Sequence, residues 1–326
     1  MGETVRRYAP VAGLLAGIAA AGVLLTVLLG GGRTESDAFT VVTTNYPLYV
    51  AAQQLTAGVD GVAVENLTGA STGCLHDYQL SPANRITLER ANLVLLNGAG
   101  AEPFLDDVLP TLTAPVTDTS AGLALLPSGE AHDHEDHEHE DDHDDEHDDH
   151  EGHHHTVNEH VWVSPSRYAR QVTAAEQALC AADPDNADRY RQNAETYRRR
   201  IDEVARRLQA AAATLGQRRC VLFHDSLAYL ADELGFSVAV SLSAGEESGV
   251  SAGELQRAAA AVQADPTMLV LYDSQYTVRY PSVDRLVPEN QVLALDTGVK
   301  GSGSADDWLR AMERTAQALE RCGQNG

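Results

Sequence analysis

Residues 183–216 read DPDNADRYRQNAETYRRRIDEVARRLQAAAATLG, the pattern of one long helix. Asp183 with Pro184 predicts a capped start, and Gly216 predicts the end. One helical face would carry most of its apolar side chains, namely Tyr190, Tyr197, Ile201, Val204, Leu208 and Leu215. At about 1.5 Å per residue the helix would be roughly 45 Å long, enough to run the height of two stacked domains. A surface helix of a single domain is the alternative.

Short apolar runs alternate with amphipathic stretches on both sides of this helix. The predicted strands before it are FTVVTT (39–44), VAVENLT (62–68) and NLVLLN (92–97), and those after it are RRCVLFH (218–224), SVAVSL (237–242), TMLVLYD (267–273) and QVLALD (291–296). Ser81 is a plausible N-cap, with Pro82 at the first helical position. Strands that alternate with helices predict parallel β/α units, so residues 37–182 and 217–326 form two lobes and 183–216 connects them.

Residues 1–36 are expected to be a membrane anchor or a signal segment. The 25 residues between Arg7 and Arg33 carry no charge, and as a helix they could cross the roughly 30 Å hydrocarbon core of a bilayer. Arg6 and Arg7 favour an N-terminus on the cytoplasmic side. A cleaved secretory signal ending near residues 36–38 is the alternative. Either way the remainder is expected outside the cytoplasm, tethered by this helix or secreted.

Residues 130–157 are predicted to form a disordered loop in the first lobe, because histidines and acids predominate there. The formal net charge is −25, but 14 of the 48 acids lie within 130–151, leaving 34 acids against 23 bases elsewhere. This balance offers no basic face for nucleic acid. Weak accessory metal binding is predicted at His132, His134, His137, His139, His143, His147, His150, His153, His154 and His155.

The four cysteines are Cys74, Cys180, Cys220 and Cys322, and no pair has CxxC spacing. A thiolate metal site is therefore not predicted. Three disulfide pairings are possible, and buried free thiols or one or two disulfides both fit an oxidising compartment.

The three histidines outside the loop, His76, His160 and His224, lie at the ends of predicted elements. Ligands of β/α folds gather at the carboxyl ends of strands, where Asp273 and Asp296 are also expected. Three imidazoles and one carboxylate can complete a four-coordinate Zn²⁺ shell. Such a set favours zinc over magnesium or calcium, which prefer oxygen ligands.

Four ordered segments resemble the zinc/manganese substrate-binding proteins of ABC metal importers: HDYQLSP (76–82), NEHVWVSP (158–165), FHDSLAYLADELGF (223–236) and LALDTG (293–298). The resemblance extends from about residue 39 to the C-terminus. An acidic, His-rich loop before the second ligand histidine is a further feature of the zinc-type members.

The resemblance implies two Rossmann-like β/α lobes joined by one rigid helix, with the metal in the cleft between them. His76 and His160 would come from the first lobe, and His224 and Asp296 from the second. Manganese-type members use a carboxylate at the position of His224, so zinc is favoured over Mn²⁺. The chain departs from the family in lacking a lipobox cysteine and in carrying Leu75 before the first ligand. Asp273 stands where relatives often have glutamate, so Asp273 or water are alternatives to Asp296.

These features predict a monomeric extracytoplasmic protein, not an enzyme, that captures Zn²⁺ and delivers it to an ABC permease. A manganese receptor of the same fold is one alternative. A zinc-dependent hydrolase is another, although the chain has neither HExxH nor GxSxG. A zinc-dependent adhesin is the third alternative.

Overall fold

Two four-stranded sheets form the framework of the chain. The computed structural model describes residues 38–73, 75, 78–128, 157–242, 250–276 and 280–324. The first sheet has the order β2-β1-β3-β4 and contains β1 (Phe39–Thr43), β2 (Val62–Asn66), β3 (Leu93–Leu96) and β4 (Val116–Asp118). The second sheet has the order β6-β5-β7-β8 and contains β5 (Arg219–Leu222), β6 (Ser237–Ser241), β7 (Leu269–Asp273) and β8 (Val292–Leu295).

Of the four inner strands, β3 and β7 are buried at every position, which explains their nearly continuous apolar sequences, LVLL and LVLYD. They run parallel to their neighbours, with Val94 opposite Val42 in the first sheet and Val270 opposite Val221 in the second. Helices alternate with the strands in both halves. The predicted fold of two parallel-sheet β/α lobes and one long helix is confirmed, whereas the lobe boundaries stay a prediction.

Eight helices accompany the strands in the described part of the chain: α1 (Tyr46–Leu55), α2 (Pro82–Arg90), α3 (Pro165–Ala182), α4 (Ala187–Leu215), α5 (Ala228–Glu233), α6 (Ala252–Ala264), α7 (Pro281–Asp284) and α8 (Asp307–Gln324). Short 3₁₀ turns occupy Pro103–Leu105, Leu109–Thr111, Val161–Val163, Pro184–Asn186, Asp225–Leu227 and Glu289–Gln291. The predicted cap at Ser81 is confirmed, because its hydroxyl accepts from the Asn84 N–H at 3.2 Å.

Helix α4 has 29 residues and is about 43 Å long. It packs against α3, α8 and α1. The predicted apolar face is confirmed, because Tyr190, Tyr197, Ile201, Val204, Leu208 and Leu215 are all buried. Gly216 ends the helix with φ of +69°, as predicted. The helix therefore contacts helices from both halves of the chain along one continuous buried face.

The predicted start of this helix at Asp183 is wrong. Asp183 ends α3 with a backbone hydrogen bond to the Leu179 carbonyl, and a 3₁₀ turn follows before α4 begins at Ala187. The Asp183 carboxylate accepts from Asn186 Nδ2 at 2.8 Å and from the Tyr190 hydroxyl at 2.6 Å. Asp183 thus stabilises the corner between the two helices instead of capping the second.

Two buried tryptophans connect segments that are far apart in sequence. The Trp308 ring in α8 stacks on Tyr168 in α3, with centroids 4.1 Å apart. Trp308 Nε1 donates to the Trp162 carbonyl at 3.0 Å, and Trp162 Nε1 donates to the Thr297 carbonyl at 3.1 Å. These contacts fix the segment that follows β8 against the 3₁₀ turn at Val161–Val163.

Three further predictions concern the N-terminal anchor, the His-rich loop and the cysteines. The predicted anchor at 1–36 lies outside the described residues, and so does the predicted loop at 130–157 apart from Val157, which forms an antiparallel bridge with Pro127. In the ranges described, no helix is long and apolar enough to cross a membrane. Cys180, Cys220 and Cys322 are free thiols, so the alternative with one or two disulfides is wrong. Cys74 is outside the described residues.

The buried face of α4 leads to a prediction about stability. Leu208 is 1% exposed, and replacing it with alanine removes apolar contacts and leaves a cavity. We expect Leu208→Ala to lower the free energy of unfolding by about 2–5 kcal/mol in urea titrations. The exposed neighbour Gln209 provides the control, since Gln209→Ala should change it by less than about 0.5 kcal/mol. Equal effects of the two substitutions would contradict the packing described.

The buried side chain of Glu102 lies beyond the C-terminal ends of the strands in the first sheet. Glu102 Oε1 accepts from the Thr44 hydroxyl at 2.5 Å and from the Asn97 N–H at 2.7 Å, and Oε2 accepts from the Gly98 N–H at 3.1 Å. These hydrogen bonds lower the pKa of Glu102, but burial has the larger effect and raises it to about 7. The folded protein therefore retains a proton that the unfolded chain loses near pH 4.5.

The raised pKa of Glu102 predicts a pH-dependent stability. Between about pH 4.5 and 7 the native state binds more protons than the unfolded state. The contribution of Glu102 to the free energy of unfolding is therefore full at low pH and is lost as the pH rises through this range. The loss should reach about 3 kcal/mol by pH 8. Urea titrations at several pH values give the free energy of unfolding as a function of pH. In Glu102→Gln the part of its fall between about pH 4.5 and 7 that is due to Glu102 should be absent. An unchanged slope in the variant would show that Glu102 does not hold the proton.

Candidate metal centre

His160 lies just before the 3₁₀ turn at Val161–Val163 and is 1% exposed. Asn158 Oδ1 accepts from the His160 backbone N–H at 2.9 Å and is 3.1 Å from Nδ1 of the ring. Asn158 Nδ2 donates to the Asp225 carbonyl at 2.8 Å, which orients the amide. Because Oδ1 can only accept, His160 Nδ1 carries the proton. The lone pair of the neutral ring is then on Nε2, where it can bind a metal.

His224 follows β5, at the carboxyl edge of the second sheet, and is 7% exposed. Its Nδ1 accepts the backbone N–H of Ser226 at 3.0 Å. The ring is stacked on Tyr276 with centroids 4.9 Å apart, and it meets His160 edge-on at 5.2 Å. A metal must therefore use the Nδ1 lone pair in place of the Ser226 hydrogen bond, or the ring must turn about Cβ–Cγ.

Asp225 completes a group of three possible ligands. Its Oδ1 is 3.4 Å from His224 Nδ1 and 3.7 Å from His160 Nδ1. One ligand atom from each of the three residues lies within 4.8 Å of the others, and in the described ranges no other such group of His, Cys, Asp and Glu occurs. Tetrahedral zinc with bonds of about 2.0–2.2 Å would separate its ligand atoms by about 3.5 Å. The possible ligand atoms, which lie up to 4.8 Å apart, would therefore have to move closer together to bind an ion.

A second carboxylate, that of the buried residue Glu159, borders His160. Its Oε1 is 3.6 Å from His160 Nε2, and the residue is 4% exposed. Together with Asp225 it gives the two imidazoles a negative environment, which favours a cation.

Asp273 and Asp296, the two predicted carboxylate ligands, are buried nearby but outside the group of three. Burial raises the pKa of Asp273 to about 6, and Thr297 Oγ1 donates to its Oδ2 at 2.7 Å. Asp296 Oδ2 pairs with Arg314, at 2.8 Å from Nε and 2.6 Å from a terminal nitrogen. Its Oδ1 accepts from the Gly298 N–H at 2.9 Å. Arg314 holds only Oδ2, so Oδ1, which accepts one hydrogen bond and keeps a second lone pair, is the oxygen that could bind a metal.

His76 lies outside the described residues. Leu75 and Tyr78 beside it are described, and the Tyr78 N–H donates to the Leu75 carbonyl at 3.0 Å. The histidines of the predicted accessory group, between 132 and 155, are outside the described residues too. The structure therefore brings together His160 and His224 from the predicted set, while the complete ligand set stays a prediction.

Sequence reasoning missed Asp225 and Asn158. Both lie in the quoted motifs, Asp225 directly after His224 and Asn158 two residues before His160. A carboxylate or amide next to a candidate ligand histidine at a strand end could have been taken as its hydrogen-bond partner, because metal-binding histidines usually have one.

Comparison with known families identifies the chain. The model of the ZnuA family, described as "Zinc-uptake complex component A periplasmic", matches residues 41–322. The chain belongs to this family. The predicted resemblance to zinc-uptake substrate-binding proteins is confirmed.

Two curated relatives are about a quarter identical to the chain over the aligned residues. The "Zinc-binding lipoprotein AdcA" of Streptococcus pneumoniae serotype 4 is 26% identical over 226 residues, which are 67% of this chain and 42% of AdcA. The "High-affinity zinc uptake system protein ZnuA" of Bacillus subtilis is 26% identical over 209 residues, 63% of this chain and 61% of that protein. The chain thus spans between about two fifths and three fifths of the length of these relatives.

A solved structure supports the fold independently. The substrate-binding protein FpvC of Pseudomonas aeruginosa in complex with Mn²⁺ superposes with a TM-score of 0.69. It is 21% identical, and the match covers 88% of this chain and 99% of FpvC.

The hydrogen bond from His160 to Asn158 predicts a specific tautomer. Long-range ¹H–¹⁵N spectra of the metal-free protein near pH 8 should show His160 protonated on Nδ1. Asn158→Ala removes the acceptor, so the ¹⁵N shifts should move toward a mixture of the two tautomers. Asn92→Ala, which removes an acceptor for Thr40 N–H instead, should leave them unchanged. An Nε2-protonated ring in the unsubstituted protein would contradict the assignment.

Proposed function

We propose that the chain captures Zn²⁺ outside the cytoplasm and delivers it to an ABC-type metal importer. One observation carries the proposal: two buried imidazoles, one from each half of the chain, meet at 5.2 Å beside the Asp225 carboxylate. The description of the family and the names of the relatives, which include zinc binding and zinc uptake, support zinc as the cargo. The chain acts as a binding protein and not as an enzyme.

The proposed ligands are His76, His160, His224 and one carboxylate. Asp296 is favoured as the fourth ligand, with Asp273 as the alternative. Asn158 orients the His160 imidazole, in the manner of the hydrogen-bonded partners that flank most metal-binding histidines, and Asp225 lies beside both rings. A shell filled by protein ligands suits transport, because no position has to stay open for a reacting water.

Zinc is proposed over manganese because His224 supplies nitrogen where an all-oxygen environment would suit Mn²⁺ better. The manganese receptor remains the second candidate, supported by the fold shared with the Mn²⁺ complex of FpvC. In this proposal the protein is a monomer at the cell surface or in the periplasm, and residues 1–36 tether it or are cleaved.

Metal titration followed by native mass spectrometry tests the proposed site. The unsubstituted protein should retain one Zn²⁺ tightly, and His160→Ala or His224→Ala should weaken that binding at least 100-fold, because each removes one coordinating atom. His76→Ala should have a similar effect. His143→Ala, from the His-rich loop, is the matched control and should leave the tight site intact. Tight binding that survived all three ligand substitutions would refute the proposal.

The loop at 130–157 is proposed to collect zinc weakly beside the tight site. Flexible imidazoles and carboxylates bind ions with poor geometry and therefore with lower affinity than a preformed cage. Deletion of residues 131–155 should remove the weak sites from a calorimetric titration and leave one tight site. Loss of the tight site on deletion would show that the loop is part of it.

A further inference from the structure

Tyr229 is a buried residue that links three segments of the chain next to the metal centre. It is 0% exposed and lies in α5, which begins four residues after His224. Its hydroxyl donates to the Asn158 carbonyl at 2.7 Å and accepts from the Leu126 N–H at 3.0 Å. The Asn158 N–H in turn donates to the Leu126 carbonyl at 2.9 Å. One hydroxyl thus completes a triangle of hydrogen bonds between α5 and two segments that are distant from it in sequence.

Asn158 is the member of this triangle that contacts the metal centre directly. Its Oδ1 accepts from the His160 backbone N–H at 2.9 Å and lies 3.1 Å from Nδ1 of the ring, while its Nδ2 donates to the Asp225 carbonyl at 2.8 Å. The two side-chain groups of Asn158 therefore face His160 and the segment after His224, and its two backbone groups face Leu126 and Tyr229. Because all four polar groups have partners, a shift of the Asn158 backbone would also move the amide that orients the His160 ring.

The ring of Tyr229 is itself held in place. The Arg167 guanidinium carbon lies 4.8 Å from the ring centroid. Arg167 is fixed in turn, since Nη2 donates to the Asp232 carboxylate at 2.8 Å and Nε donates to the Ala124 carbonyl at 3.2 Å. Burial raises the pKa of Tyr229, so its hydroxyl keeps the proton that it donates to Asn158. Tyr229 is thus a rigid support for the Asn158 backbone.

We propose that Tyr229 is a positioning residue for zinc capture, because its hydroxyl holds Asn158, and through it the His160 ring, in the orientation that binds the metal. Phenylalanine at this position would keep the packing of the ring but would leave the Asn158 carbonyl and the Leu126 N–H without the hydroxyl between them. The expected effect on zinc affinity rests on the proposed zinc function. The expected effect on the His160 ring does not, since it concerns the metal-free protein.

Tyr190→Phe is the matched control for Tyr229→Phe. Tyr190 is also 0% exposed, and its hydroxyl donates to the Asp183 carboxylate at 2.6 Å. Asp183 follows the last residue of α3, whose 18 residues separate it from the segment of His160 by about 27 Å along the helix. Both substitutions remove one buried, hydrogen-bonded hydroxyl, but one of the two hydroxyls is bonded to Asn158.

Long-range ¹H–¹⁵N spectra of the full, metal-free chain near pH 8 provide the first readout. In Tyr229→Phe the His160 ¹⁵N shifts should move toward a mixture of the two tautomers, in the same direction as in Asn158→Ala but by less. In Tyr190→Phe they should stay at the values of the unsubstituted protein. His160 shifts that are identical in Tyr229→Phe and the unsubstituted protein would overturn the proposal.

Zinc affinity, measured by competition with a fluorescent indicator, provides the second readout. Tyr229→Phe should weaken zinc binding about tenfold and Asn158→Ala by about 10–100-fold, as is typical when hydrogen-bonded partners of metal ligands are removed. Tyr190→Phe should leave the affinity unchanged. If Tyr229 acts through Asn158, adding Tyr229→Phe to Asn158→Ala should cost no more than about twofold further.

Two results of the zinc titrations would overturn the proposal: an unchanged affinity in Tyr229→Phe, or a full further tenfold loss in the double variant. The first would show that the hydroxyl has no effect on the metal centre, and the second that it acts independently of Asn158. If the unsubstituted chain itself failed to bind zinc, the proposed function would be wrong, and the His160 spectra would still decide whether Tyr229 positions the ring.

Discussion

The packing of α4 against α3 and α8 holds the two halves of the chain together. One apolar face of this 29-residue helix contacts helices from both halves of the chain, so burial of that face fixes both halves to one rigid element. Trp308, stacked on Tyr168 and bonded to the Trp162 carbonyl, strengthens the same junction. A wide hinge motion would expose this surface, so metal exchange should depend on small movements of ligand-bearing loops.

The same junction positions the metal centre. Trp162 follows His160 by two residues, and its Nε1 donates to the carbonyl of Thr297, directly after Asp296. His224 comes from the carboxyl edge of the second sheet, and the Asp225 carbonyl accepts from Asn158 beside His160. Hydrogen bonds that run through the core thus hold imidazoles from distant parts of the sequence at contact distance.

Much of the architecture could be predicted because it depends on periodicity. The apolar face of α4, the cap at Ser81 and the end at Gly216 follow from local patterns. The start of α4 could not be predicted from such a pattern. The Asp183 carboxylate accepts a hydrogen bond from Tyr190 and stabilises the corner between α3 and α4, instead of capping α4. The pairing of Asp296 with Arg314 and the position of Asp225 between two imidazoles were also hidden, because they depend on which segments the folded chain brings together. The approach of His160 to His224 was expected from the family resemblance and not from spacing.

We propose that His160 and His224 bind one metal ion together. A zinc-edge anomalous difference map of the zinc-loaded protein, crystallised without residues 131–155, tests it most directly. We expect one strong peak within about 2.0–2.2 Å of a ring nitrogen of each histidine. A peak that touches neither ring, or the absence of any peak near Asp225, would contradict it.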